Sequence, residues 1–205
     1  MNEQSENRDA VKNVYILLTH TGSLLTNLIK QYTGAPYNHV SIAMDSRLDE
    51  LYSFGRKQPH NPLAGGFIKE DVYKGTYRQF PHTKCVLLRL AMTQRQWDKV
   101  NRVIRYIQKK ANEYRYNFIG LFGVMMNVPI APKNSYFCSQ FVTEALKRSG
   151  LPLWNRPSAL ITPDDFLQHA SVQRVYEGRL YDYPLLRKEK LIDELHGMRG
   201  ERMAW

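Results

Sequence analysis

Two cysteines, Cys85 and Cys138, are the nucleophilic thiols of this sequence, and their settings differ. Cys138 lies in NSYFCSQFVTEALKRSG, where Phe141, Val142, Ala145 and Leu146 recur at helical spacing until Gly150 ends the pattern. This spacing predicts a thiol in the first turn of a helix. There the sulfur meets unpaired backbone amides and the positive end of the helix dipole, which favour thiolate over thiol. Such positions lower a cysteine pKa from about 8.5 to roughly 3.5–7.5, most strongly beside an imidazolium. The same amides, including that of Cys138, would stabilise an oxyanion on an attacked carbonyl. Buried, inert cysteines are the commoner use of a free thiol. Cys85, between Lys84 and Val86 in an apolar strand, fits that description.

A cysteine nucleophile needs an imidazole within reach and a third group to orient the ring. His39 opens HVSIAM, in which Val40, Ile42 and Met44 alternate with His39, Ser41 and Ala43. It is the natural base. Ser53, on the following strand, shares its face if the hairpin register permits, and is the first candidate for the third position. Glu50, nearer the turn and a stronger acceptor, is the alternative. Tyr37 and Tyr136 are candidate oxyanion or substrate hydrogen-bond donors, although aromatics beside a strand and a helix more often pack. His20 follows the first strand and could line the same cleft, with a polar loop role as its plainer reading. His60 and His82 stand in proline-containing loops, and no pair has the spacing of a zinc motif. No metal and no cofactor are assigned, and Gly65-Gly66 lacks the lysine and helix of a phosphate loop.

The elements that must hold these groups can be read from periodicity and punctuation. Residues 14–19 (VYILLT) form a buried strand. Ser23 caps a helix bearing Leu24, Leu25, Leu28, Ile29 and Tyr32, which Gly34 ends. Strands at 39–44 and 50–56 flank a turn at 45–49. Residues 57–75, with Pro59, Pro62, Gly65, Gly66 and Gly75, read as a loop enclosing at most a short strand at 67–69. A strand at 84–90 leads to a long helix capped by Thr93 and running to about 114, with Trp97, Val100, Ile104 and Ile107 on its apolar stripe. Thr162-Pro163-Asp164-Asp165 starts a short helix, and 172–176 forms a last strand. The expected organisation is a polar lead-in over 1–12, a single α+β domain over 13–183 and a peripheral helical tail over 184–205.

Length and composition set the bounds. The 205 residues, 43% hydrophobic and 23% charged, suffice for a globular core without disulfides or metals. Two cysteines exclude a disulfide scaffold and a four-thiolate zinc site. The net charge of +10, with a pI near 9.6, favours anionic partners or an anionic surface. The basic residues are scattered, however, and no segment reads as a nucleic-acid-binding motif. The first residues, MNEQSENRDAVKN, lack the basic start and apolar stretch of a secretory signal, so a cytoplasmic protein is expected. No run of about 18 apolar residues predicts a membrane span. The most apolar window, residues 118–132, is broken by Gly120, Gly123, Asn127 and Pro129. It reads as buried or substrate-facing, with membrane-surface contact as the alternative.

The segments VYILLTHTGSLLTNLIKQYTGAPYNHVSIAM and NSYFCSQFVTEALKRSG resemble the circularly permuted, papain-like branch of the NlpC-type cysteine peptidases and amidases. The shared cues are a histidine heading a small-residue strand after Tyr-Asn, then an aromatic-Cys-Ser-x-aromatic helix start about a hundred residues later. The resemblance covers roughly 14–55 and 134–150. It implies Cys138 as nucleophile and His39 as base, on a small antiparallel sheet or half-barrel packed against the cysteine helix. It further implies a thiol hydrolase acting on the amide of a cell-wall-type peptide or an acyl amide. An acyltransferase acting on a lipid or amine, or a weakly catalytic binding module of the same fold, are its alternatives. Ser53 departs from the more polar third residue usual in that branch.

Overall fold

Strictly alternating side chains give a β-strand two different faces, and here both faces of the central strands are apolar. The computed structural model describes residues 10–21, 36–58 and 61–191. Six strands, β1 (Val11–His20), β2 (His39–Ala43), β3 (Leu51–Gln58), β4 (Asn61–Glu70), β5 (Lys84–Thr93) and β8 (Val172–Arg179), form one sheet in the order β4-β3-β2-β1-β5-β8. Every neighbouring pair is antiparallel. Two short strands, β6 (Arg115–Tyr116) and β7 (Ser135–Tyr136), pair in parallel beside it. The fold is thus α+β.

Ile16, Leu18, Val40, Ile42, Phe54 and Val86 bury one face against helices α2 (Gln94–Lys109), α4 (Cys138–Arg148) and α5 (Pro163–Gln168). Phe54 sits at the centre of an aromatic cluster, with ring centroids 5.1 Å from Phe141 and 5.3 Å from Tyr136. Leu17, Ala43, Leu51, Cys85 and Leu87 bury the other face under Val72, Tyr73, Leu180 and Tyr183, together with Tyr77 of α1 (Gly75–Gln79). Because β1 is covered on both sides, it reads as a continuous apolar run rather than an alternating one. Burial of these side chains, at about 1.5–3 kcal/mol each, is the main favourable contribution to folding.

Local signals place the helix ends. Thr93 caps α2, accepting from the Gln96 amide at 3.2 Å while the Gln96 carboxamide accepts from the Thr93 amide at 2.9 Å. Thr162 and Asp165 repeat this arrangement at α5. Gly150, at φ +89°, ends α4 in the left-handed conformation, and the following Leu151 amide donates to the Leu146 carbonyl at 3.0 Å. The helix α2 ends at Lys109, short of residue 114, because the chain turns through 111–113 to stack Tyr114 on Tyr136.

Residues 57–75 differ most from expectation. In place of a loop, the ten-residue strand β4 pairs with β3 from Leu51↔Glu70 to Gln58↔Asn61, and α1 follows. Pro62 is tolerated because β4 is an edge strand. Gly65 marks a close approach rather than a turn: a Cβ there would lie 2.6 Å from the Tyr116 Cβ. Strand β8 also runs beyond 176, to Arg179. The helix expected after Ser23 lies outside the described residues. In the tail, Leu186 is buried and the Arg187 Nη2 donates to Asp49 at 2.7 Å, so packing continues past 184.

Candidate active site

Cys138 is the first residue of α4, as its spacing predicts. That first turn is pinned from three sides. The Phe137 amide donates to the Gln140 Oε1 at 3.3 Å, the Asn117 Nδ2 donates to the same oxygen at 3.1 Å, and the Ser139 Oγ donates to the Ile161 carbonyl at 2.6 Å. Asn117 in turn caps α3 (Phe118–Met125), accepting from the Gly120 amide at 2.8 Å. The backbone amides of Val40 and Ser139 favour the charged form of the Cys138 sulfur.

His39 opens β2, opposite Thr19 of β1. Pairing of β2 with β3 covers Ile42↔Tyr52 and Ala43↔Leu51, so His39 and Ser41 precede that ladder and their side chains serve other partners. The His39 Nε2 donates to the Glu70 Oε1 at 2.7 Å. This leaves Nδ1 as the ring nitrogen available to the Cys138 sulfur, whose charge the imidazole favours.

Glu70, at the end of β4, receives four side-chain donors. Its Oε1 accepts from His39 and from the Ser53 Oγ, and its Oε2 accepts from the Ser41 Oγ at 2.9 Å and the Tyr77 hydroxyl at 2.6 Å. A buried carboxylate normally resists ionisation, and here the donors reverse that preference. Burial pushes the Glu70 pKa up, but the His39 charge and the bonds from His39, Ser53 and Tyr77 outweigh it and hold the value at about 2. Burial likewise works against a charged His39, and the Glu70 carboxylate and the Cys138 sulfur lift it to about 10. For Cys138, burial favours the thiol, yet the His39 bond and charge, with the Val40 and Ser139 amides, lower the pKa below its ordinary value. Tyr77 moves well above the usual phenol value through burial and the neighbouring Glu70 charge. It therefore serves as a neutral donor. The arrangement favours a chain of carboxylate, imidazolium and thiolate. Cys138 is 4% exposed while the His39 side chain is 24% exposed, so the imidazole side is the one open to solvent.

The other candidates fall into place around this chain. Ser53 is buried and bonded to Glu70 rather than to His39. Glu50 is engaged elsewhere, with Lys69 at 2.5 Å, Arg105 at 2.7 Å and the Tyr52 hydroxyl. Burial opposes its charge, but these partners hold its pKa below the usual carboxylate value. The Tyr37 hydroxyl donates to Glu177 of β8 at 3.1 Å. The Tyr136 hydroxyl accepts from the Arg148 Nη2 at 2.8 Å, and its ring packs on Phe54. His20 accepts from the Asn38 Nδ2 at 3.3 Å, next along β1 from the residue opposite His39. Cys85 is buried, and burial followed by the Glu177 charge pushes its thiol up to about 12. Glu70 and Tyr77 escape a reading by local pattern. The signal that would reveal Glu70 is a strand over 61–70, whose last residue then stands opposite Leu51.

Among the described residues, no group of three or more His, Cys, Asp or Glu side chains is placed to hold a metal ion, and no helix is long and apolar enough to cross a membrane. No protein-family model matches the chain, and no curated protein matches it.

Proposed function

We propose that this protein is a cysteine hydrolase that cleaves an amide bond through an acyl-enzyme on Cys138. The observation that carries the reading is the 2.7 Å hydrogen bond between Glu70 and His39, together with the first-turn Cys138 whose thiolate that imidazole favours. A histidine strand that precedes the cysteine helix is the order of the permuted papain-like, NlpC-type branch, and the sheet packed on α4 agrees with it. Glu70 supplies the charged third group that Ser53 lacks, which favours turnover over a binding module that has lost it.

In this reading the Cys138 thiolate attacks the amide carbonyl carbon, and the oxyanion forms beside the first-turn amides of α4. The His39 imidazolium gives its Nδ1 proton to the departing amine as the C–N bond breaks. The neutral ring then takes a proton from water, whose oxygen attacks the thioester carbon. The carboxylic acid leaves, and the thiolate–imidazolium pair is restored. Glu70 remains ionised throughout and keeps Nε2 as a donor.

The test is incubation with a panel of wall-type peptides and acyl amides, with acid-quenched mass spectrometry of the protein. The expected result is free acid in solution and an acyl mass on the Cys138 peptide, both lost in Cys138→Ala. Cleavage that persists in Cys138→Ala would overturn the mechanism, and a panel left intact with no adduct would favour a binding module. An acyltransferase shares the acyl-enzyme, and the exposed apolar helix α3 is the feature that favours it. An added amine acceptor then yields transfer product in place of free acid.

A further inference from the structure

Helix α3 is turned inside out. Gly120 and Gly123 are its buried residues, whereas Ile119, Phe122 and Met125 are exposed, as are Met126 and Val128 just beyond its end. Ile119, Phe122 and Met126 follow at i, i+3 and i+7 and share one face. Phe122 is 66% and Met126 73% exposed. The inward side admits nothing larger than glycine: a Cβ at Gly120 would lie 2.2 Å from the Asn117 Nδ2, and one at Gly123 would lie 2.5 Å from the Val128 carbonyl oxygen. An ordinary surface helix buries its large apolar side chains and exposes polar ones. A contiguous apolar face of this kind marks an interaction site.

Charge selects among the surfaces that could cover it. No acidic residue occurs between Glu113 and Glu144, a stretch that contains α3 and the exposed Arg115 and Lys133. Arg115 and Lys133 are also close in space, since the Arg115 amide donates to the Asn134 carbonyl at 3.0 Å. A second copy would bring another +10 charge and the same acid-free stretch against this one. An anionic lipid surface instead accepts the apolar side chains among its acyl chains and the basic residues at its headgroups. We infer that α3 and the turn after it form a docking face for anionic membrane surfaces. The face is tied to the reactive centre, because the α3 cap residue Asn117 is hydrogen-bonded to Gln140 in the first turn of the Cys138 helix. Docking therefore holds the start of that helix next to the interface, whichever reaction Cys138 performs.

The experiment is co-sedimentation of the full chain with vesicles of phosphatidylcholine alone and with about one-third phosphatidylglycerol, at about 0.1 M and about 0.5 M salt. Binding to the anionic vesicles is expected, weaker at the higher salt and reduced roughly tenfold or more in Phe122→Ser/Met126→Ser. Both side chains are exposed, and circular dichroism with thermal unfolding checks that the variant is folded. Cys138→Ala is expected to bind like the wild type, so loss of the hydrolase reading and loss of this one are seen separately. No binding, equal binding to neutral vesicles, or equal binding by the double variant would overturn the proposal. So would a concentration-dependent dimer in sedimentation velocity that the double variant abolishes, which would assign the face to a second copy.

Discussion

The Glu70 Oε1 stands 2.7 Å from the His39 Nε2, across 31 residues of sequence, and fixes which ring nitrogen is left for Cys138. The consequence is electrostatic as well as geometric. A buried carboxylate beside the ring favours the protonated imidazole, and the protonated imidazole favours the thiolate.

Glu70→Gln keeps the shape of the site and removes its charge. The His39 pKa should fall toward its ordinary value, and the thiolate fraction of Cys138 near neutrality should fall with it. Alkylation of Cys138 at pH 7 should slow roughly tenfold or more, each unit of pKa being about 1.4 kcal/mol. Glu70→Ala also strands the Ser41, Ser53 and Tyr77 hydroxyls, and should cost about 3–5 kcal/mol in denaturant unfolding. Equal stability of the Gln and Ala variants would show that these donors find other partners.

Tyr77→Phe tests the support beneath the carboxylate. One buried hydrogen bond to a charged group is removed without a large cavity, so a loss of about 1.5–3 kcal/mol is expected. Cys138 should remain reactive, because Ser41 and Ser53 still donate to Glu70. Abolished alkylation in a folded Tyr77→Phe protein would mean that Tyr77 positions His39 more tightly than its bond to Glu70 implies.

Stability should depend on pH in two separate windows. Glu70 falls from 4.5 to about 2 on folding, so its contribution is fully present above 4.5 and is lost as pH drops toward 2. His39 rises from 6.5 to about 10, so its contribution is fully present below 6.5 and is lost as pH climbs through 10. Denaturant midpoints should therefore peak between these windows, and the loss on the alkaline side should shrink in His39→Ala. An identical alkaline slope in that variant would assign the loss to other groups.

Gly65→Ala should destabilise the edge of the sheet. The added Cβ would meet the Tyr116 Cβ at 2.6 Å, and backbone shifts of this kind cost about 1–3 kcal/mol. Thermal unfolding checks it, and an unchanged midpoint would show that β6 yields without cost.

Among the described residues, the helix starts and stops that carry local signals lie where the sequence places them. Thr93 with Gln96, Thr162 with Asp165, and Gly150 after the apolar spacing of α4 each report a helix end within a few residues of chain. His39 and Cys138 are legible for the same reason, one by strand alternation and one by its place in a first turn. Glu70 is not, because Pro59, Pro62, Gly65 and Gly66 imitate a loop. The edge position that tolerates Pro62, and the Tyr116 ring that demands Gly65, are properties of the assembled sheet. Ser53 lies close to His39 but answers to Glu70, since strand alternation can assign a face and cannot assign a hydrogen-bond partner. Likewise, the apolar run at 118–132 hides the fact that its glycines, rather than its large side chains, face inward.

The decisive measurement is the rate of Cys138 alkylation by iodoacetamide as a function of pH, in wild type and His39→Ala, with modified peptides resolved by mass spectrometry. A thiolate held by imidazolium should react at a nearly constant rate across neutral pH in the wild type. In His39→Ala the rate should instead rise with pH as a solitary buried thiol does, and Cys85 should remain unmodified in both. Superimposable Cys138 profiles in the two proteins, or preferential labelling of Cys85, would contradict an ion pair between Cys138 and His39.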